Sequence, residues 1–167
     1  STLPKLLERS GTSDKGTVTG FYTILVEGDD MDEPVSDAVR GILDGHILLS
    51  RRFASRHHYP AIDILASISR LSTKITGPET KKTSAYIKRL MAVYTEAEDL
   101  INVGAYVKGS NPVIDEAIDK MPEINTFLQQ GIEEKSDMKA TMSRMEKITG
   151  ISIPDSEIRD EAVSVQT

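Results

Sequence analysis

Among the residues able to do chemistry, Arg70 has the most telling position. It closes the run Ile62 to Arg70 (IDILASISR), which reads as a strand, and ligand crevices of open α/β sheets lie outside carboxyl strand ends. A forked, permanently charged guanidinium there can engage phosphate oxygens; a surface or structural arginine is the alternative. The loop EGDDMDEP gathers Glu27, Asp29, Asp30, Asp32 and Glu33 around Met31. Counted from Asp29 as a calcium loop, it puts Pro34 where glycine is needed and Arg40 where the closing glutamate belongs. A solvated loop or a docking surface for a basic partner fits better. His57 and His58 are adjacent and cannot converge on one metal from a helix or strand. With His46 the only other imidazole, they read as turn and surface histidines before Tyr59-Pro60. Gly11 and Gly16 have the glycine spacing of a phosphate-binding loop, but Thr17 stands where its lysine must be, so a structural turn is the better reading. With no cysteine, thiolate catalysis, thiolate zinc sites and disulfides are excluded. Nothing places a Ser/His/Asp set together.

The elements that must position these groups fall into two pieces. In residues 1–76, Leu3, Leu6 and Leu7 form a short helical stripe before the turn cluster Ser10 to Asp14. The run from Gly16 to Glu27 (GTVTGFYTILVE) is β-branched and aromatic, which predicts a buried strand. Val35, Val39, Ile42 and Leu43 share one helix face. His46 to Ser50 reads as a strand and Arg51 to His57 as helical. Strand, helix, strand, helix, strand spells α/β with a largely parallel sheet, and three strands are few for such a sheet. That suits part of a domain.

Gly77-Pro78 opens an all-helical piece. Tyr86, Leu90, Val93, Tyr94, Ala97, Leu100 and Ile101 recur at helical spacing, predicting one helix from Pro78 to about Val103. Val113, Ile114, Ala117 and Ile118 begin a second helix, which Met121-Pro122 is expected to interrupt before Ile124, Phe127 and Leu128 resume it. Met138, Met142, Met145 and Ile148 form a last stripe. The expected division is 1–76, 77–150 and a flexible acidic tail at 151–167.

The chain has 167 residues, 38% hydrophobic and 28% charged, with net charge −6. Such a mix is that of a soluble globular chain. Basic and acidic residues number nine and ten up to residue 76, eleven and sixteen beyond it. The helical piece thus carries nearly all the excess negative charge and would favour a basic partner. Without basic runs, nucleic acid is not the expected partner.

The stretches LPKLLERSG, TGFYTILVEGDDMDEPVSDAVRGILDGHILLSR and HYPAIDILASISR, with the later GAYVKGSNPVIDEAI and FLQQGIEE, resemble the flagellum-specific type III export ATPase family, relatives of the rotary ATP synthase catalytic subunits. The resemblance covers residues 1–150. It implies a partial RecA-like nucleotide-binding domain with a mostly parallel sheet, followed by an all-α C-terminal domain. It implies that Arg70 is an arginine finger acting in trans on ATP bound by a neighbouring subunit of a homo-hexamer. It places Tyr59 against adenine, with Phe127 and Gln130 where the helical domain closes over the base. Asp29, Asp30, Met31 and Asp32 would face a stalk-like coiled-coil partner. A regulatory export protein, the export gate and chaperone–cargo complexes would be further partners, at the cytoplasmic face of the membrane. ATP would come with Mg2+, whose ligands, like the phosphate loop and catalytic glutamate, are expected upstream of this stretch, so the chain alone is expected not to hydrolyse ATP. Alternative readings are a non-enzymatic partner-binding module, a virulence type III secretion ATPase and a rotary ATP synthase subunit.

Overall fold

The computed structural model describes residues 3–7, 9–26 and 34–158. The loop carrying Asp29, Asp30, Met31 and Asp32 lies outside the described residues. The chain forms two compact units: residues 1–46 with 68–71, and residues 47–67 with 72–167.

In the first unit, α1 (Leu3–Leu7) packs on α2 (Pro34–Ile42), burying Leu7 and Val39. Between them, β1 (Gly11–Ser13) and β2 (Gly16–Val18) pair antiparallel, with Gly11 opposite Val18 and Ser13 opposite Gly16. The two glycines of the loop-like spacing thus belong to a hairpin. The expected strand from Gly16 to Glu27 is corrected: pairing stops at Val18, and Phe21 and Leu25 are 93% and 96% exposed. Its apolar pattern is that of a strand, but a strand needs a neighbour to take its amides and carbonyls, and no described segment lies alongside.

Strands β3 (Gly45–Leu49) and β4 (Ile62–Ser69) pair around α3 (Arg51–Ser55). The Ser50 amide donates to the Ala61 carbonyl and the Arg70 amide to the Asp44 carbonyl. Those bonds run in reverse order along the two strands, so the pair is antiparallel. The α/β piece stands, but the ladders among the described residues are antiparallel where a largely parallel sheet was expected. Ser50, just past β3, lies against Ala61, just before β4, so the chain returns on itself through α3 and the turn after it, as in a hairpin.

The second unit centres on α5 (Pro78–Asn102), α6 (Pro112–Leu128) and α7 (Met138–Thr149), preceded by the short α4 (Ser72–Ile75). Pro78 and Pro112 sit in the first turns of α5 and α6, where no amide is missed. The Asn111 side chain accepts from Val113 N, Asp137 from Ala140 N at 2.6 Å, and Gly150 ends α7 at φ 72°. Ile87, Leu90 and Met91 of α5 meet Ala117 and Ile124 of α6 and Met145 and Ile148 of α7 in one core. Helix α6 runs unbroken through Pro122, against the expected interruption. Pro122 is exposed, so the carbonyl it leaves unbonded can reach water, while buried Ile124 and partly buried Met121 and Phe127 hold the helix to the core.

Residues 151–158 are also ordered, correcting the expected tail over that stretch. Ile153 is buried, and its amide donates to Glu146 Oε1. Glu157 caps α5, accepting from the amides of Glu79 (3.1 Å) and Thr80 (2.8 Å) and from the Thr80 hydroxyl (2.8 Å). Burial works to raise its pKa, but these donors outweigh it and hold the carboxyl below its ordinary value. Residues 159–167 lie outside the described residues.

Candidate functional site

Three residues singled out by resemblance, Tyr59, Phe127 and Gln130, line one cavity of about 720 Å³ in the second unit. Tyr59 comes from the turn after α3, Phe127 from the last turn of α6, and Gln130 from the loop beyond it. Two contacts tie turn to loop. The Gln130 amide donates to the Tyr59 carbonyl at 2.9 Å, and Gln129 Nε2 faces His58 Nδ1 at 3.4 Å. His58 is 7% exposed and packs against the Phe53 ring at 5.2 Å, so it is no surface histidine. His57 points the other way in function: it lines the cavity.

The turn is anchored further back. Arg52 of α3 and Arg56 just past its end both bond the Glu98 carboxylate of α5, Arg56 at 2.8 Å. The hydrogen bond from Arg56 leads the causes that lower the Glu98 pKa, outweighing its burial, with the charge of Arg52 adding to it. These links tie the stretch around α3 to the helical unit, with which residues 47–67 group.

The loop after α6 is organised by Glu134. Its carbonyl accepts from Gln130 Nε2 at 2.8 Å, and its carboxylate accepts from Gly131 N at 3.1 Å. Arg144 of α7 closes the arrangement with a 3.3 Å bond to the other carboxylate oxygen. Glu134, Arg144 and Lys147 also line the cavity, and sequence reasoning missed all three. Glu134 was within reach, since it lies in the quoted FLQQGIEE block; no spacing rule brings Arg144 to that block. Tyr59 is 53% exposed, offering a flat phenol face at the wall. A half-open ring, a fixed amide and flanking cations can take a planar polar heterocycle.

Arg70 is placed by the first unit. Its amide is held by Asp44 at 2.7 Å, just past the end of β4, and its side chain is exposed. Gly45 lies so close to β4 that an added Cβ would sit 2.6 Å from the Ile68 carbonyl oxygen. Glycine is required for this approach. The bond to Asp44 and the close contact at Gly45 together set where the strand end carrying Arg70 lies. Among the described residues no group of three or more His, Asp or Glu is arranged to hold a metal ion.

Comparison with known proteins gives matches over both pieces. Residues 1–69 match the nucleotide-binding domain of the ATP synthase alpha/beta family, and residues 76–147 match the T3SS EscN ATPase C-terminal domain. The chain is 53% identical over 152 residues to a flagellum-specific ATP synthase of Treponema pallidum, covering 91% of this chain and 34% of that protein. It is 49% identical over 148 residues to the SPI-2 type 3 secretion system ATPase of Salmonella typhimurium, covering 89% and 34%. The structure resembles that of the assembled ATPase EscN in complex with its central stalk EscO from enteropathogenic E. coli. That likeness has a TM-score of 0.79 and 40% identity, over 88% of this chain and 35% of that one. The chain thus spans about a third of the length of the relatives it matches.

Proposed function

Since the chain belongs to the flagellum-specific and type III secretion ATPase family, we propose that it forms the C-terminal part of an enzyme that hydrolyses ATP to energise flagellar protein export. The observation that carries this reading is the meeting of Tyr59, Phe127 and Gln130, from segments far apart in sequence, on one cavity. In this reading Tyr59 lies against adenine, where stacking on a flat ring needs no charge, and Phe127 and Gln130 close over the base.

Arg70 is the catalytic contribution, given across a subunit boundary of a homo-hexamer to the γ-phosphate of ATP on the neighbour. Phosphoryl transfer needs little covalent help, so a cation that meets the charge developing on the transferred group supplies orders of magnitude in rate. Arginine suits the task because its charge is permanent and its fork matches two phosphate oxygens. The backbone clamp between Asp44 and Arg70, with Gly45 pressed on Ile68, holds the start of that side chain. Mg2+ bound with ATP would neutralise phosphate charge, and its ligands are expected in residues other than those described here. The 167 residues contain no G-x-x-x-x-G-K-[ST] segment, so the chain alone turns over no ATP.

A coiled-coil stalk is the first partner; support comes from the E. coli relative, determined with its central stalk. A regulatory export protein, the export gate and chaperone–cargo complexes are the others. The enzyme would sit at the inner face of the membrane as a peripheral protein; among the described residues no helix is long and apolar enough to cross one.

The test is Arg70→Ala in the intact enzyme. Turnover falls by about 10³-fold or more while nucleotide affinity stays within a few-fold. An equal loss of binding would sink the assignment.

A further inference from the structure

We propose that the Glu134–Arg144 pair is a positioning device that makes the cavity select adenine over guanine. The proposal rests on the adenine reading of the cavity given above and adds what that reading lacks, a reason for base choice.

A glutamine amide has one donor end and one acceptor end, and which end faces a ligand depends on what holds the other. Here one N–H of Gln130 Nε2 donates to the Glu134 carbonyl at 2.8 Å, which sets how the amide is turned and leaves Oε1 as the acceptor end of a residue on the cavity wall. An acceptor there matches the exocyclic amino group of adenine, which donates. Guanine carries a carbonyl oxygen at the same ring position, and two acceptors facing each other repel. The choice therefore depends on keeping the amide from turning over.

Glu134 does the holding with three separate atoms. Its carbonyl takes Gln130 Nε2, one carboxylate oxygen takes the Gly131 amide, and the other takes Arg144. Arg144 stands on α7, whose Met145 and Ile148 are buried in the helical core. The loop is thus tied to a rigid element through one side chain. A second cavity of about 200 Å³ shares Phe127, Gln129, Gln130, Glu134 and Arg144 with the first, so Glu134 and Arg144 belong to the wall between two spaces.

The experiment titrates this chain with adenosine and with guanosine, following the Tyr59 and Gln130 resonances by NMR, and measures amide exchange at Gly131. Glu134→Ala and Arg144→Gln are compared with the unsubstituted chain, with thermal melting as the check on folding. Each substitution should cut the adenosine preference roughly fivefold, the equivalent of one lost hydrogen bond. Gly131 should exchange faster in both, while the melting temperature stays within a few degrees. If the unsubstituted chain prefers adenosine and neither substitution moves that preference, the positioning role is overturned and the adenine reading survives. If the unsubstituted chain shows no preference, the adenine reading itself fails, and this proposal with it.

Discussion

Replacing Gly45 by alanine tests whether the backbone clamp at the end of the β3–β4 pair positions Arg70. The added methyl would lie 2.6 Å from the Ile68 carbonyl oxygen and 3.2 Å from Ser69 Cα. A carbon–oxygen approach below about 3.3 Å is resisted, so the two strands must part by about 0.7 Å. The neighbouring bond from the Arg70 amide to Asp44 is 2.7 Å long. Parting of that size would stretch it to about 3.4 Å, beyond the usual hydrogen-bond range. Overpacking of this kind costs about 1–3 kcal/mol. Both effects fall on backbone, so no side-chain rotation relieves them. The assay is amide exchange in this chain: Arg70 should exchange at least tenfold faster in Gly45→Ala, while amides of α5 and α6 keep their rates. In the intact enzyme, turnover should fall by up to about 100-fold, since displacing a reacting group by about 1 Å has that consequence. An Arg70 amide as slow as in the unsubstituted chain would refute the reasoning, because the strands would then have absorbed the methyl without parting.

Other consequences follow from the helical unit. Ile124, fully buried among α5, α6 and α7, should cost about 2–5 kcal/mol when cut to alanine, read by urea unfolding. A loss below about 1 kcal/mol would mean that the core refills the cavity. Glu98 and Glu157 both have pKa values held below the ordinary glutamate value of 4.5, so each titrates at lower pH folded than unfolded. Their stabilisation is complete above that ordinary value and is lost as pH falls through the lower folded values. Unfolding temperature should therefore drop on acidification below about pH 4.5. Glu157→Gln should flatten that acid limb, and an unchanged limb would remove the cap from the account.

Much of the second unit was legible in one dimension. The apolar spacing from Tyr86 to Ile101 specified α5, and Pro78 its start, because a helix face is a local periodic property. The strand bearing Arg70 was readable for the same reason, as was the type of chemistry a guanidinium at its end could do. Pro122 shows the limit: local rules break the helix there, and burial of Ile124 against two other helices keeps it whole. The Gly16–Glu27 run shows the converse, a pattern with strand character and no described partner to pair with.

Only the tertiary structure could bring Tyr59 to Gln130, seat Glu157 on the start of α5, or set Arg144 against Glu134. None of those meetings follows from the spacing of the residues concerned. Composition and periodicity decide which surfaces are apolar and which groups carry charge. Which amide end faces a cavity depends on a carbonyl four residues away and on an arginine from another helix, and those distances exist only once the core has closed.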